Sequence, residues 1–82
     1  MAVKIRLFAV LRERTGQQEM EMSWSGPCSV ADIWGQLERL YPSIAPFREC
    51  VTFAVNREYV DALHPLSDGD ELALIPPVSG GL

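Results

Sequence analysis

The residues best suited to chemistry in this protein carry no functional side group: they are Gly80 and Gly81, reached through Pro76-Pro77-Val78-Ser79 and followed by Leu82. Each proline lacks a backbone donor and fixes its own φ, so Pro76 and Pro77 end sheet pairing and direct an extended tail away from the body. From position 76 to 81 such a tail reaches about 20 Å, at ~3.3 Å per residue. Its last two positions have no Cβ, so it can thread a narrow tunnel. A terminal backbone carboxylate can attack the α-phosphate of ATP, become an acyl-adenylate and then accept sulfur as a thiocarboxylate. Glycine places nothing beside that carbonyl, and a partner enzyme can close around it; the gain is one of positioning rather than of acid–base chemistry. A Gly-Gly pair alone, however, is also what an inert tail looks like.

Catalysis by side groups has little to work with. His64 precedes Pro65 and has no Ser or Cys partner identifiable by motif, so it reads as a turn residue and not as a general base. Cys28 and Cys50 form no CxxC pair, and with a single histidine in the sequence zinc lacks four good ligands. The two thiols read as small, semi-buried apolar groups. Asp68, Asp70 and Glu71 are not set in a twelve-residue calcium loop and read as a solvated turn. No metal site and no glycine-rich phosphate loop is expected.

Something must hold the tail, and 82 residues suffice for one small domain with one modest core. The net charge is -4 and the seven cations are scattered, which argues against nucleic acid as a partner. No apolar run approaches the ~20 residues of a membrane span. Met1 to Arg6 lacks the long apolar segment of a secretory signal, so no membrane association and a cytoplasmic location are expected.

Residues 3 to 10 alternate, with Val3, Ile5, Leu7 and Ala9 on one side and Lys4, Arg6, Phe8 and Val10 on the other, which predicts a strand. Arg12 to Gly16 reads as a charged turn. Met20, Met22 and Trp24 then mark a second strand. Ser29, with Asp32 three positions on, is a capping-box start for a helix whose apolar stripe is Val30, Ile33, Trp34, Leu37, Leu40 and Tyr41, ended by Pro42. Val51, Phe53 and Val55 predict a third strand, Glu58 to Val60 a short fourth after an Asn56-Arg57 turn, and Glu71 to Ile75 the last. This order suits an α+β fold in which one main helix crosses one face of a mixed sheet. The β-grasp, or ubiquitin-like, fold has that pattern, here as a body over 1–75 and a flexible tail over 76–82.

Asn56, Glu58-Tyr59-Val60, Leu66 with Asp68-Gly69-Asp70-Glu71, and Ile75-Pro76-Pro77-Val78-Ser79-Gly80-Gly81 together resemble the family of molybdopterin synthase small subunits. Leu7-Phe8-Ala9 and Arg12-Glu13 followed by Gly16 extend the resemblance over nearly the whole sequence. It implies a β-grasp carrier that is non-catalytic alone and inserts its tail into the synthase large subunit. A separate ATP-dependent adenylating enzyme would activate Gly81, with Gly80 beside it. The thiocarboxylate would then donate sulfur to a cyclic pterin precursor during molybdenum cofactor synthesis. The carrier itself would bind no cofactor.

Phe8 and Ile75 lie opposite the inward sets of their strands. If those strands are neighbours, the two residues make an apolar patch suited to a partner, unless loops cover it. The resemblance adds Tyr59 to that patch, and Arg12 could hold an acidic group of the partner. Pro76, Pro77, Val78 and Ser79 would line the route into it. Leu82 departs from the family ending at the second glycine. Either it is removed by a peptidase, or it was added to the natural sequence, or this copy is not a donor. A carrier for thiamine, cysteine or tRNA thiolation, a ubiquitin-like modifier and a β-grasp binding module remain as rival readings.

Overall fold

In β1 (Ala2–Leu7) the residues Val3, Ile5 and Leu7 are at most 1% exposed, whereas Lys4 and Arg6 turn to the other side, the signature of a strand with one dry face. The computed structural model describes residues 1–77; the predicted tail positions Val78, Ser79, Gly80, Gly81 and Leu82 lie outside the described residues. After β1 come α1 (Ala9–Thr15), β2 (Glu19–Ser23), α2 (Val30–Leu40), a 3-10 helix (Pro42–Phe47), β3 (Thr52–Val55), β4 (Glu58–Val60) and β5 (Glu71–Ile75).

The sheet order is β2-β1-β5-β3-β4. β1 and β5 run parallel, and the remaining pairs are antiparallel. Register sets Ile5 beside Leu72 and Leu7 beside Leu74, and Leu74 beside Phe53. One face of the sheet is thereby apolar, and α2 covers it with Val30, Ile33, Trp34 and Leu37. Trp34 meets Phe53 edge-on at 6.1 Å between ring centroids. Each such buried aliphatic or aromatic side group stabilises the fold by about 1.5–3 kcal/mol. This is the β-grasp arrangement that the element order implies.

The capping box forms as the sequence suggests: Ser29 Oγ accepts from Asp32 N at 3.3 Å, and Asp32 Oδ2 accepts from Ser29 N at 2.9 Å. Leu40 is the exception within the predicted stripe. It is 54% exposed, at the margin of the buried face in the last turn of α2, while Tyr41 still packs on the core.

The first strand is shorter than predicted, and the charged segment after it is a helix rather than a turn. Ala9 takes a left-handed conformation (φ 50°), bending the backbone out of β1 and into α1. Leu11 and Thr15 are its two buried residues, and Thr15 Oγ1 donates back to the Leu11 carbonyl at 2.9 Å. Gly16 (φ 72°) closes α1 by donating its N–H to Arg12 O at 2.9 Å, the conformation that glycine adopts without strain. Pro76 is buried beside Ile75, and Pro77 is exposed.

Candidate functional site

On the sheet face away from α2, strand register lines up Arg6, Ala73, Ala54 and Tyr59 in one row across β1, β5, β3 and β4. The two alanines in the middle are short and the outer residues long, so the row sags into an open depression of about 460 Å³ with an apolar floor. Phe8 and Ile75 complete its walls. Phe8 is not in β1, yet its backbone stays extended (φ -122°, ψ 153°), which keeps its ring on the face that the alternation assigns. Phe8 is 39% exposed and Tyr59 77%, large apolar areas to leave in water unless something covers them.

Two further depressions meet this one at Ile75. One, of about 520 Å³, includes Phe8, Val10, Glu13 and Pro76; the other, of about 360 Å³, includes Thr52, Tyr59 and Pro77. Ile75, Pro76 and Pro77 therefore leave the body along the apolar patch, and whatever covers the patch also meets the start of the tail.

The structure thus brings together five of the residues singled out in the sequence: Phe8, Tyr59, Ile75, Pro76 and Pro77. It does not bring Arg12 to them. Arg12 is exposed on α1 and lines none of the three depressions, because the helix replacing the expected turn points it elsewhere. Val78, Ser79, Gly80 and Gly81 lie outside the described residues.

Two cations that the sequence did not single out line the depression instead, Arg6 and Arg57. The Arg6 guanidinium lies 5.6 Å from the Phe8 ring centroid, a cation–π contact. Arg6 could have been found from the alternation that sets it on the Phe8 face. Arg57 occupies the two-residue turn between β3 and β4, where both Asn56 (φ 51°) and Arg57 (φ 73°) are left-handed. That is the mirror-type hairpin turn matching sheet twist, in which glycine is the favoured second residue.

A set of hydrogen bonds from side groups holds this turn. Asn56 Oδ1 accepts from Glu71 N at 3.0 Å and Asn56 Nδ2 donates to Asp70 Oδ1 at 2.9 Å. Asp70 Oδ2 accepts from Ser67 N at 2.8 Å, and Asp68 Oδ1 accepts from Ala2 N at 2.7 Å. The acidic turn 68–70 is therefore a junction that fixes the start of β5 against β1 and the hairpin. Among the described residues no group of three or more His, Cys, Asp or Glu is placed to hold a metal ion.

The remaining polar and nucleophilic residues stand away from the depression. Burial, aided by the nearby Asp32 carboxylate, pushes the Cys28 thiol up, away from the reactive thiolate. Cys50 is exposed and free. His64 serves through its backbone, its carbonyl accepting from Val30 N at 3.0 Å. Glu38 accepts from Trp34 Nε1 at 2.6 Å and from Arg48 Nε and Nη2 at 2.8 and 2.6 Å, pinning the segment after the 3-10 helix to α2.

Comparison with known proteins gives this geometry a context. Residues 5–81 match the ThiS family. The human molybdopterin synthase sulfur carrier subunit is 38% identical, over 96% of this sequence and 93% of its own. The subunit of the same name from Escherichia coli is 34% identical, over 96% of this sequence and 99% of its own. Among solved structures, the small archaeal modifier protein 1 of Haloferax volcanii superposes with a TM-score of 0.84 at 26% identity, covering 94% of this protein and 98% of that one.

Proposed function

The protein belongs to the ThiS family, and from that premise we propose that it is the sulfur carrier subunit of a molybdopterin synthase, working in molybdenum cofactor synthesis. The observation that carries this reading is the full-length similarity to relatives of that name, joined to an apolar patch from which the tail departs.

The reactive group is the backbone carboxylate of Gly81. A carboxylate oxygen attacks the α-phosphate of ATP held by a separate adenylating enzyme, pyrophosphate leaves, and an acyl-adenylate forms. Sulfur at the hydrosulfide level then displaces AMP, and the product is the Gly81 thiocarboxylate. The thiocarboxylate sulfur bonds to a carbon of the cyclic pterin precursor, and water cleaves the acyl–sulfur bond, which returns the Gly81 carboxylate and leaves the sulfur on the pterin as a thiol. The carrier binds no cofactor for any of these steps, and ATP is the activating enzyme's substrate. Alone it is not a catalyst; it is the sulfur-donating part of a cytoplasmic assembly of two carriers with two large subunits.

Each part of the body has a task in this scheme. The clip through Asn56, Asp70 and Glu71 fixes β5, and β5 delivers the tail. Phe8, Tyr59 and Ile75 dock on the large subunit, and Pro76 to Ser79 lead Gly80 and Gly81 into its active site. Leu82 stands one position past Gly81, so this scheme requires its absence before activation.

The test is reconstitution: the protein ended at Gly81 and bearing a thiocarboxylate is mixed with the cognate large subunit and the cyclic precursor, and molybdopterin is measured. Formation in proportion to carrier supports the proposal; no product with an active large subunit rejects it. A modifier reading is favoured by the similarity to small archaeal modifier protein 1. It requires isopeptide conjugates on target lysines that disappear when Gly81 is deleted.

A further inference from the structure

The protein is acidic overall, with a net charge of -4. Its docking depression is nonetheless flanked by two guanidiniums, Arg6 on β1 beside Phe8 and Arg57 on the hairpin turn near Tyr59. Between them the row supplies only Ala73 and Ala54. Among the described residues Glu71 is the one carboxylate on the same depression. The ion pairs among the described residues are Lys4–Glu19 and Arg48–Glu38, so neither of these arginines is engaged by a neighbouring carboxylate.

We propose that Arg6 and Arg57 form a cationic frame that selects a partner surface presenting an apolar projection bracketed by carboxylates. The inference rests on the docking role proposed for this face and adds the chemistry of what docks there. Three observations carry it. First, although Glu19 and Glu21 stand across β2 from Arg6 and Lys4 on this face, the lining of the depression itself carries two guanidiniums against one carboxylate in a molecule of net charge -4, so an acidic projection is drawn to this spot, which orients the encounter. Second, Arg57 sits at φ 73°, where a residue with a Cβ is strained and glycine is not, so a cation is kept at a position where a relaxed turn favours its absence. Third, both cations are arginine. A guanidinium is less strongly hydrated than an ammonium and can stack on a ring while its in-plane N–H groups engage a carboxylate bidentately. Arg6 already lies over Phe8 in that manner.

The test measures association and dissociation rates of the full-length protein with the cognate large subunit at low and high salt. It compares the parent with Arg57→Gly, Arg6→Glu/Arg57→Glu and Ile75→Asp. The double reversal should slow association about 100-fold at low ionic strength, with little change in dissociation, and the gap should close near ~1 M salt. Arg57→Gly should slow association about tenfold without lowering the melting temperature, which a merely structural arginine would not do. If both arginine variants associate like the parent while Ile75→Asp abolishes binding, the cationic frame is wrong and the docking face stands. If Ile75→Asp also binds like the parent, the docking face itself is wrong.

Discussion

Asn56 and Asp70, 14 positions apart, are joined through their side groups: Asn56 Nδ2 donates to Asp70 Oδ1 at 2.9 Å, which fastens the β3–β4 turn to the turn that opens β5. The hairpin displays Arg57 and Tyr59, and β5 delivers Ile75 and the tail. One amide thus keeps the apolar patch and the end of β5 in a fixed relation.

Asn56→Ala removes two hydrogen bonds and leaves a Cβ residue in the left-handed region without local support. The expected cost is about 1–3 kcal/mol, or roughly 4–24 °C in melting temperature for a domain of this size. Binding to the large subunit should weaken even where the variant is fully folded. Denaturation with urea and calorimetric titration check the two effects separately.

Phe8→Ala acts on the patch instead. Because Phe8 is 39% exposed, its removal should change stability by no more than about 1 kcal/mol. A central aromatic anchor of an interface, by contrast, is worth about 2 kcal/mol or more, some 30-fold in affinity. A melting curve that barely moves beside a large loss of affinity is the expected pair of results. Unchanged affinity would place the interface elsewhere.

Leu37, fully buried in α2, probes the core that holds the sheet face in shape. Leu37→Ala should cost about 2–5 kcal/mol. That is a large share of the ~4–12 kcal/mol expected for a domain of 82 residues. A midpoint shift in urea too small for that range would mean that the core collapses around the cavity.

Glu38 gives a pH dependence. Its hydrogen bond to Arg48 first, and that to Trp34 after it, hold the carboxyl below the usual glutamate range in the folded protein. The native state binds that proton less readily than the unfolded state, so the interaction stabilises above the unfolded pKa and is lost as pH falls through the folded one. The parent should therefore melt above Glu38→Gln at neutral pH, and the two curves should converge on acidification below the ordinary carboxylate range. Parallel curves across the whole pH range would contradict this.

Much of the body is legible in the sequence because its signals are local. Alternation around Ile5 and around Phe53 marks strands, and Ser29 with Asp32 marks the start of α2. The first helix is hidden for a physical reason. It has seven residues and two buried positions, Leu11 and Thr15, too few to show a period, and it starts from a left-handed Ala9 that no rule of composition anticipates. Gly16 is readable as a stop, but not what it stops.

The site divides in the same way. Phe8 and Ile75 follow from alternation once their strands are adjacent, and Arg6 shares their face. Ala54 and Ala73 acquire meaning only through register, since two small residues make a depression only when β3 and β5 set them side by side. Arg57 depends on which way a left-handed turn aims its guanidinium. Arg12 belongs to a segment whose residues predict a turn, and the helix that forms there sets it apart from the depressions.

The most direct measurement is the intact mass of the protein after incubation with the cognate adenylating enzyme, ATP and a sulfur source, for one form ending at Leu82 and one ending at Gly81. The carrier mechanism predicts that the Gly81-ended form alone gains the mass difference between one sulfur and one oxygen. No gain in either form, with an activating enzyme that works on another carrier, would contradict it.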